Sequence, residues 1–388
     1  MPISVKRYYS GMTGAPTLSG TAGALIALLD ACLKDGFNVK APTGATQTSG
    51  TATLSFSASH GYAPGDVIAL SGANESAWND EFLVLTTTTN SLTFAIGAGT
   101  TSPATGTLSC KIAPLGWTKL FSGTNKGAYL PKAQYVQCYL RVLDDSTVPT
   151  SASGRWAKVR GYESMSDVDT GTGPFPTVAQ AANALSVMKS STSDSTVRAW
   201  WLAGDGGIFY LGLFWYASNS AYAEGFSFGD INSLRSGDAY SCIILSTTAG
   251  IDTLPSAPSP NFGLLSTFPT TTNGHYLARS HTQIGSAVAA GKIGDNGIST
   301  FIGFGGTTYP HPPDNGLLFS PVAVFESVGL RSRALPGLYQ PLHSAPLAYL
   351  DTVTNVPDFP GRTFQAFDLY NAQPARAQCL IDITGPWR

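Results

Sequence analysis

The sequence predicts a mainly β protein: a β-sandwich-like body with one N-terminal amphipathic helix and an inserted small β-barrel or sandwich domain. Three observations lead there. Short stretches of strand-like residues recur along the chain with turn-rich pieces between them. One segment above all, Thr17 to Lys34, carries a strong helical apolar period. Five closely spaced strand-like stretches between residues 46 and 113 are bounded by Gly/Thr/Ser-rich edges, which sets them apart from their surroundings.

In chain order, Ile3 to Tyr9 reads as a strand, which Gly11, Gly14 and Pro16 end. In the segment Thr17 to Lys34, Leu25, Leu28, Leu29, Cys32 and Leu33 share one face of a helix. Ser19 or Thr21 is suited to cap its first turn, and Gly36 to stop its last. Strands are expected at Thr51–Ala58, Asp66–Leu70, Glu81–Thr87, Ser91–Ile96 and Thr105–Ile112. The body, residues 1–45 plus 114–388, resumes at Gly116-Trp117. Its strands are expected at Tyr135–Leu143, Trp156–Tyr162, Val197–Leu202, Ile208–Tyr216, Tyr240–Leu245 and Val322–Val328, with a closing pair at Phe364–Tyr370 and Ala377–Asp382. The continuous apolar run Ile208–Tyr216 implies cover on both faces. Thr177–Met188 is a candidate second helix. Residues 246–320, rich in Gly, Pro, Ser, Thr and Asn, read as contact-forming loops.

The chain has 388 residues, enough for two or three packing units. Hydrophobic residues make up 43% and charged residues only 12%, which is about half the charged share usual in soluble domains. Few charges, 42 glycines and long Ser/Thr runs suit a surface covered by neighbouring subunits. The net charge is -2 and no Lys/Arg run grips phosphates, which argues against nucleic acid as a partner. The five cysteines, Cys32, Cys110, Cys138, Cys242 and Cys379, are odd in number and lack a C-x-x-C pair. They read as buried free thiols of a protein folded in a reducing cytoplasm, not as a disulfide framework or zinc site. The first residues lack the apolar core of a signal peptide. The longest apolar stretch, Ala22 to Leu33, contains Asp30 and is too short to span a bilayer. No membrane partner is expected.

Glycoside hydrolysis needs two carboxyls held about 5–10 Å apart across the sugar. The acidic clusters are Glu163/Asp167/Asp169, Asp144–Asp145 and Glu75/Asp80/Glu81. Each reads as solvated turn carboxylates. Asp205-Gly206-Gly207 offers turn oxygens to a cation, but a two-residue hairpin turn with glycines at positive φ explains it better. His60, His275, His281, His311 and His343 show no metal-ligating spacing. No G-x-S-x-G stands between a strand and a helix, and there is no Walker loop or Rossmann fingerprint. No catalytic, cofactor-binding or metal residue is assigned, and the chain is expected not to be an enzyme. The aromatic run Trp200, Trp201, Phe209, Tyr210, Phe214, Trp215 and Tyr216 reads as core; were one face exposed, it would suit subunit contact or sugar stacking.

Within residues 46–113, His60-Gly61, Gly65-Asp66-Val67, Gly72, Asn79, Phe82, Val84 and Thr93-Phe94 follow one another in an order that resembles a module inserted repeatedly into phage tail proteins. The stretches Leu18 to Leu33, Gly116 to Asn125, Arg160 to Pro176, Phe228 to Asn232 and Ile383 to Arg388 resemble a family of tailed-bacteriophage virion structural proteins, from end to end of the chain. Gly171 to Pro176 reads there as a rigid connector suited to a subunit contact. The resemblance implies a structural component, in the tail, baseplate or tail tip, acting by subunit assembly. It implies other virion proteins as partners, a homo-oligomer in a symmetric ring, and a place in the virion after assembly in the host cytoplasm. It brings no catalytic residues. Three alternatives stand beside it: a host receptor- or glycan-binding tail protein using residues 46–113 or 246–320, a capsid decoration or head-fibre protein, and a glycan hydrolase acting through Glu163 and Asp169.

Overall fold

A computed structural model describes residues 4–145, 154–217, 223–246, 248–249, 274–293, 308–343, 347–372 and 375–388. The chain is mainly β, and its elements build outward from one seven-stranded antiparallel sheet. In spatial order its strands are Lys6–Tyr9, Ala199–Gly204, Ile208–Phe214, Ala223–Asp230, Cys242–Leu245, His275–Leu277 and Val288–Ala289. Successive side chains of a strand point to opposite faces, and here both faces are buried. Trp200, Leu202, Phe209 and Leu211 enter one core; Trp201, Ala203, Ile208 and Tyr210 enter another.

The first core is closed by a lateral sheet in the order Thr248–Ala249, Leu185–Met188, Trp156–Met165, Tyr139–Leu143, Lys126–Leu130, Thr118–Gly123. The second is closed by a five-stranded sheet in the order Phe319–Pro321, Leu338–Pro341, Ala375–Asp382, Thr363–Ala372, Thr352–Thr354. The body therefore stacks three large sheets, one more layer than a simple sandwich, and a small three-stranded sheet, Gly291–Ile293, Ala323–Glu326 and Gly329–Ser332, joins the second core through Val324. Trp201 makes a close contact across the second core. Its ring lies 4.7 Å from Phe367 and its Nε1–H donates to the Asp368 carbonyl at 3.1 Å. Its cross-strand partner is Gly212, where a Cβ would stand 2.1 Å from the indole nitrogen. Only glycine leaves room for the ring. The aromatic run is accordingly core, with Trp200 to Trp215 buried and Tyr216 at its end 40% exposed.

The N-terminal helix is shorter than the apolar period implies. An α-helix covers Ala24–Leu29 and widens into a π-helical turn over Asp30–Asp35. Residues before it are held otherwise. Leu18 bridges to Arg198, Gly20 packs against the Thr192 carbonyl where a Cβ would clash, and Gly23 sits at φ 81°. Ser19 and Thr21 bond each other and cap nothing. The cap comes from 119 residues away: Asp144 Oδ2 accepts from the Leu25 N–H at 2.7 Å. Gly36, at φ 75°, ends the turn as expected. At the same end, the Cys32 and Leu33 carbonyls accept from the N–H groups of Leu115, Gly116 and Trp117, each at 2.9 Å.

A separate seven-stranded sheet runs in the order Phe37–Lys40, Gly106–Ile112, Val67–Ala73, Glu81–Thr87, Ser91–Ala95, Thr51–Ser55, Gly44–Thr48. It is an open path, not a closed barrel, and it takes in strands from residue 37 onward. Its inner side chains, Phe82, Phe94 and Trp78 among them, belong to the same continuous core as the helix. Tyr8 fastens it to the body by an edge contact with Phe37 at 5.9 Å and a hydrogen bond to the Ala113 carbonyl at 2.7 Å.

Two further expectations change. Thr177–Met188 is not a helix. Thr177 and Gln180 do bond reciprocally, as in a helix-starting box, but the turn stops at Ala184, whose φ is 64°. Leu185–Met188 then pairs with Trp156–Val159 and is buried throughout. The Gly171–Pro176 connector is largely a strand: Gly171–Phe175 pairs with Gly161–Met165, and the Phe175 ring fills the space over Gly161. The closing hairpin, Thr363–Ala372 with Ala375–Asp382, forms as read. The expectation for residues 246–320 falls mostly outside the described residues. No helix among the described residues is long and apolar enough to cross a membrane.

Asp144 also meets Lys189 at 2.5 Å, with both side chains wholly buried. Burial pushes the Asp144 carboxyl up from 3.8 to about 6 and the Lys189 amine down. A carboxyl whose folded value lies above its unfolded one holds a proton that the unfolded chain has released. Its contribution to stability is thus largest below 3.8 and declines as the pH rises to about 6. Removing one partner of a buried pair leaves an uncompensated charge. Lys189→Met is therefore expected to lower unfolding free energy by about 3–5 kcal/mol in urea titrations at neutral pH. Asp144→Asn keeps the acceptor for Leu25 and should flatten the pH dependence across that acid window.

Candidate functional site

The acidic residues singled out in the sequence each have a structural partner. Both Glu163 oxygens accept from Arg279, through Nε and Nη2 at 2.6 Å each, and Arg279 lies 4.1 Å from the centre of the Tyr240 ring. Asp169 pairs with Lys126 at 2.8 Å and Arg141 at 2.5 Å, and the hydrogen bond from Lys126 leads in holding its carboxyl below the usual range. Asp167 accepts the N–H groups of Asp169 and Thr170, closing a turn, and is likewise held low. Glu75 accepts from Thr105, Asp80 from the Glu81 N–H, and Glu81 pairs with Lys6. Their carboxylates are thus taken up by cations, hydroxyls and backbone N–H groups of the protein.

The other candidates resolve in the same way. Asp205 Oδ1 accepts from the N–H groups of Gly207 and Ile208, at 2.7 and 2.8 Å, and closes the hairpin. Neither Gly206 nor Gly207 has positive φ, contrary to expectation. Their lack of a side chain serves proximity instead: a Cβ on Gly207 would stand 2.7 Å from Tyr135. His60 bonds the Thr88 and Ser91 carbonyls, His281 pairs with Glu326, His311 with Asp314, and His343 accepts from the Leu318 N–H. His275 is buried. The five cysteines are buried free thiols. Among the described residues no three His, Cys, Asp or Glu side chains are grouped closely enough to hold a metal ion.

The structure does form a cleft the sequence reading missed. Two hollows, of about 480 and 340 Å³, adjoin at Arg235. The larger is lined by the loop from Asp230 to Ser241, the smaller by Leu234, His281, Glu326 and residues Val328–Arg331. Arg331 lines the smaller hollow and holds Asp238, which lines the larger. Its guanidinium donates to Asp238 Oδ2 at 2.9 and 2.6 Å and to Glu326 Oε1 at 3.3 Å, and all three side chains are at most 3% exposed. Glu326 also accepts the His281 N–H, while Asp230 takes Ser241 Oγ–H at 2.7 Å and pairs with Arg388 at 3.1 Å. Every carboxylate at the cleft is thus occupied by a cation or hydroxyl of the protein. The smaller hollow has an aliphatic rim, with Leu234, Val328 and Leu330 49, 68 and 41% exposed, whereas the larger is lined mainly by polar residues such as Asn232, Ser233 and Ser236. Such a surface can hold a partner by contact area and a few polar groups. Its buried ion network fixes the shape of the wall.

No signal in the sequence joins Asp238 to Arg331, which lie 93 residues apart. The one clue is scarcity: in a chain with 12% charged residues, an Arg inside the Leu330–Leu335 stretch asks for a buried partner. Arg331→Met is expected to strand Asp238 and Glu326 and to lower stability by about 3–5 kcal/mol. Arg331→Lys, which keeps the charge but loses the planar fork, should lose part of that. Chemical denaturation of the two variants beside the wild type checks both.

No protein-family model matches the chain, and no curated protein matches it. Among solved structures it is similar to a phage phi92 endosialidase at 12% identity and a TM-score of 0.17, over 90% of this chain and 52% of that one. The chain thus spans about half the length of that protein. Likeness at this level assigns no activity or partner.

Proposed function

We propose that this chain is a structural component of a tailed-bacteriophage virion, in the tail, baseplate or tail tip, that acts by assembly with its own copies and with other virion proteins and not by catalysis. The observation that carries the reading joins sequence to structure. The five stretches that resemble virion structural proteins are far apart in sequence, yet in space they form one connected chain of contacts. The Leu33 carbonyl accepts from the Trp117 N–H. The Trp117 ring lies 6.2 Å from Phe228, and Phe228 stacks on Phe175 at 5.9 Å. Asp230 then pairs with Arg388 at 3.1 Å. The resemblance therefore falls on stretches that meet in space.

The commitment of the acidic residues supports the non-catalytic part. A glycosidase needs one carboxyl free to donate a proton and another to act as base or nucleophile. Glu163 and Asp169 are instead locked to Arg279 and to Lys126 and Arg141. A second reading, a host receptor- or glycan-binding tail protein, is favoured by the two adjoining hollows around Arg235, one polar and one with an aliphatic rim.

Electron microscopy of intact particles with an antibody against residues 46–113 tests the placement. Label at the tail tip or baseplate is expected. Label over the head would replace the tail reading with capsid decoration, and unlabelled particles would overturn the virion reading.

A further inference from the structure

One end of the lateral sheet holds a buried amine against a buried carboxyl. The strands Tyr139–Leu143 and Leu185–Met188 flank Trp156–Met165, with Leu143 opposite Lys158 and Met188 opposite Trp156. The next residues along are Asp144 and Lys189. Lys189 Nζ stands 2.5 Å from Asp144 Oδ1, and both side chains are 0% exposed. Their backbones are fixed. The Asp144 N–H donates to the Asn125 carbonyl and the Asp144 carbonyl accepts from the Gly23 N–H, each at 2.8 Å, while the Lys189 N–H donates to the Arg155 carbonyl at 3.0 Å. The Thr21 carbonyl accepts from Nζ and aims the amine. The two carboxyl oxygens are not alike. Oδ2 is held by the Leu25 N–H at 2.7 Å, with the Ile26 N–H beside it. Among the described residues Oδ1 has no partner besides Nζ.

An amine and a carboxyl condense to an amide when both are uncharged, held together and kept from water. Burial favours the uncharged form of each, raising the Asp144 carboxyl to about 6 and lowering the Lys189 amine. Fixed placement removes the entropic cost of bringing them together. A dry core withholds the water that would reverse the reaction. We propose that Lys189 and Asp144 condense to an isopeptide bond in the folded chain, a covalent staple across the lateral sheet. Nζ adds to Asp144 Cγ, and the charge that develops on Oδ2 meets the Leu25 N–H already placed there. One proton passes from Nζ to Oδ1. The Cγ–Oδ1 bond breaks, and Oδ1 leaves as water with that proton and the carboxyl proton. The Nζ–Cγ amide remains, and nothing is oxidised or reduced. The bond passes over the strand between its two anchors and holds the residue that caps the helix. It removes both charges, so the pH dependence described for the ion pair belongs to the unlinked chain and vanishes as the link forms. The inference does not rest on the assembly reading.

Intact-mass spectrometry of the purified full chain, followed by a tryptic peptide map, tests it. Wild type should be lighter than its sequence by one water. Trypsin should leave Lys189 uncut and yield one branched peptide that joins Lys189 to Asp144. Lys189→Met and Asp144→Ala should each carry the full mass of their sequences. Should either variant fail to fold, the wild-type mass and map decide alone. A wild type at its full sequence mass, with cleavage after Lys189, overturns the proposal. So does a lost water that maps elsewhere, such as to Asp205-Gly206, or one that persists in either variant.

Discussion

The fold depends on the simultaneous burial of Trp200 and Trp201 on opposite faces of one sheet. Adjacent strand residues must point apart, so two indoles in succession demand a core on each side. Each finds one, with its N–H satisfied there: Trp200 donates to the Pro16 carbonyl at 3.0 Å and Trp201 to the Asp368 carbonyl at 3.1 Å. Those two bonds tie the N-terminal segment and the closing hairpin to the same strand. The three-sheet stack follows from this. A lateral sheet covers one face, a C-terminal sheet covers the other, and Gly212 supplies the space that lets the second indole lie flat.

The few charges are placed to serve that stack. Arg331 is buried against Asp238 and Glu326, Lys189 against Asp144, and Arg198 against the Trp215 and Thr196 carbonyls. Buried charges of this kind add little net stability, because desolvation offsets their attraction. They fix geometry instead: Asp144 sets where the helix begins, and Arg331 sets the wall of the cleft. Charges held inside are not available outside. These buried pairs take up part of a chain in which only 12% of residues are charged.

Much of this was legible in the sequence. Short strand-like stretches between turns located five of the seven strands of the small sheet to within a few residues but missed Phe37–Lys40 and Gly44–Thr48, and the continuous apolar run Ile208–Tyr216 correctly implied cover on both faces. The failures have physical causes. The helix was read too long because its apolar period continues through Gly20 and Gly23, and only the packing of Gly20 on Thr192 and the left-handed Gly23 exclude it. The reciprocal bonds of Thr177 and Gln180 exist, but a strand partner at Trp156–Val159 outcompetes the helix they would begin. The cleft was invisible because its charges pair over long sequence separations, which local patterns do not encode.

The most direct test of the virion proposal is quantitative mass spectrometry of density-purified particles from a lysate in which the chain is present. The account predicts peptides from it in every particle preparation, at several copies per virion and in fixed ratio to the other structural proteins. Its presence only in the lysate, with none in purified particles, would contradict the central claim.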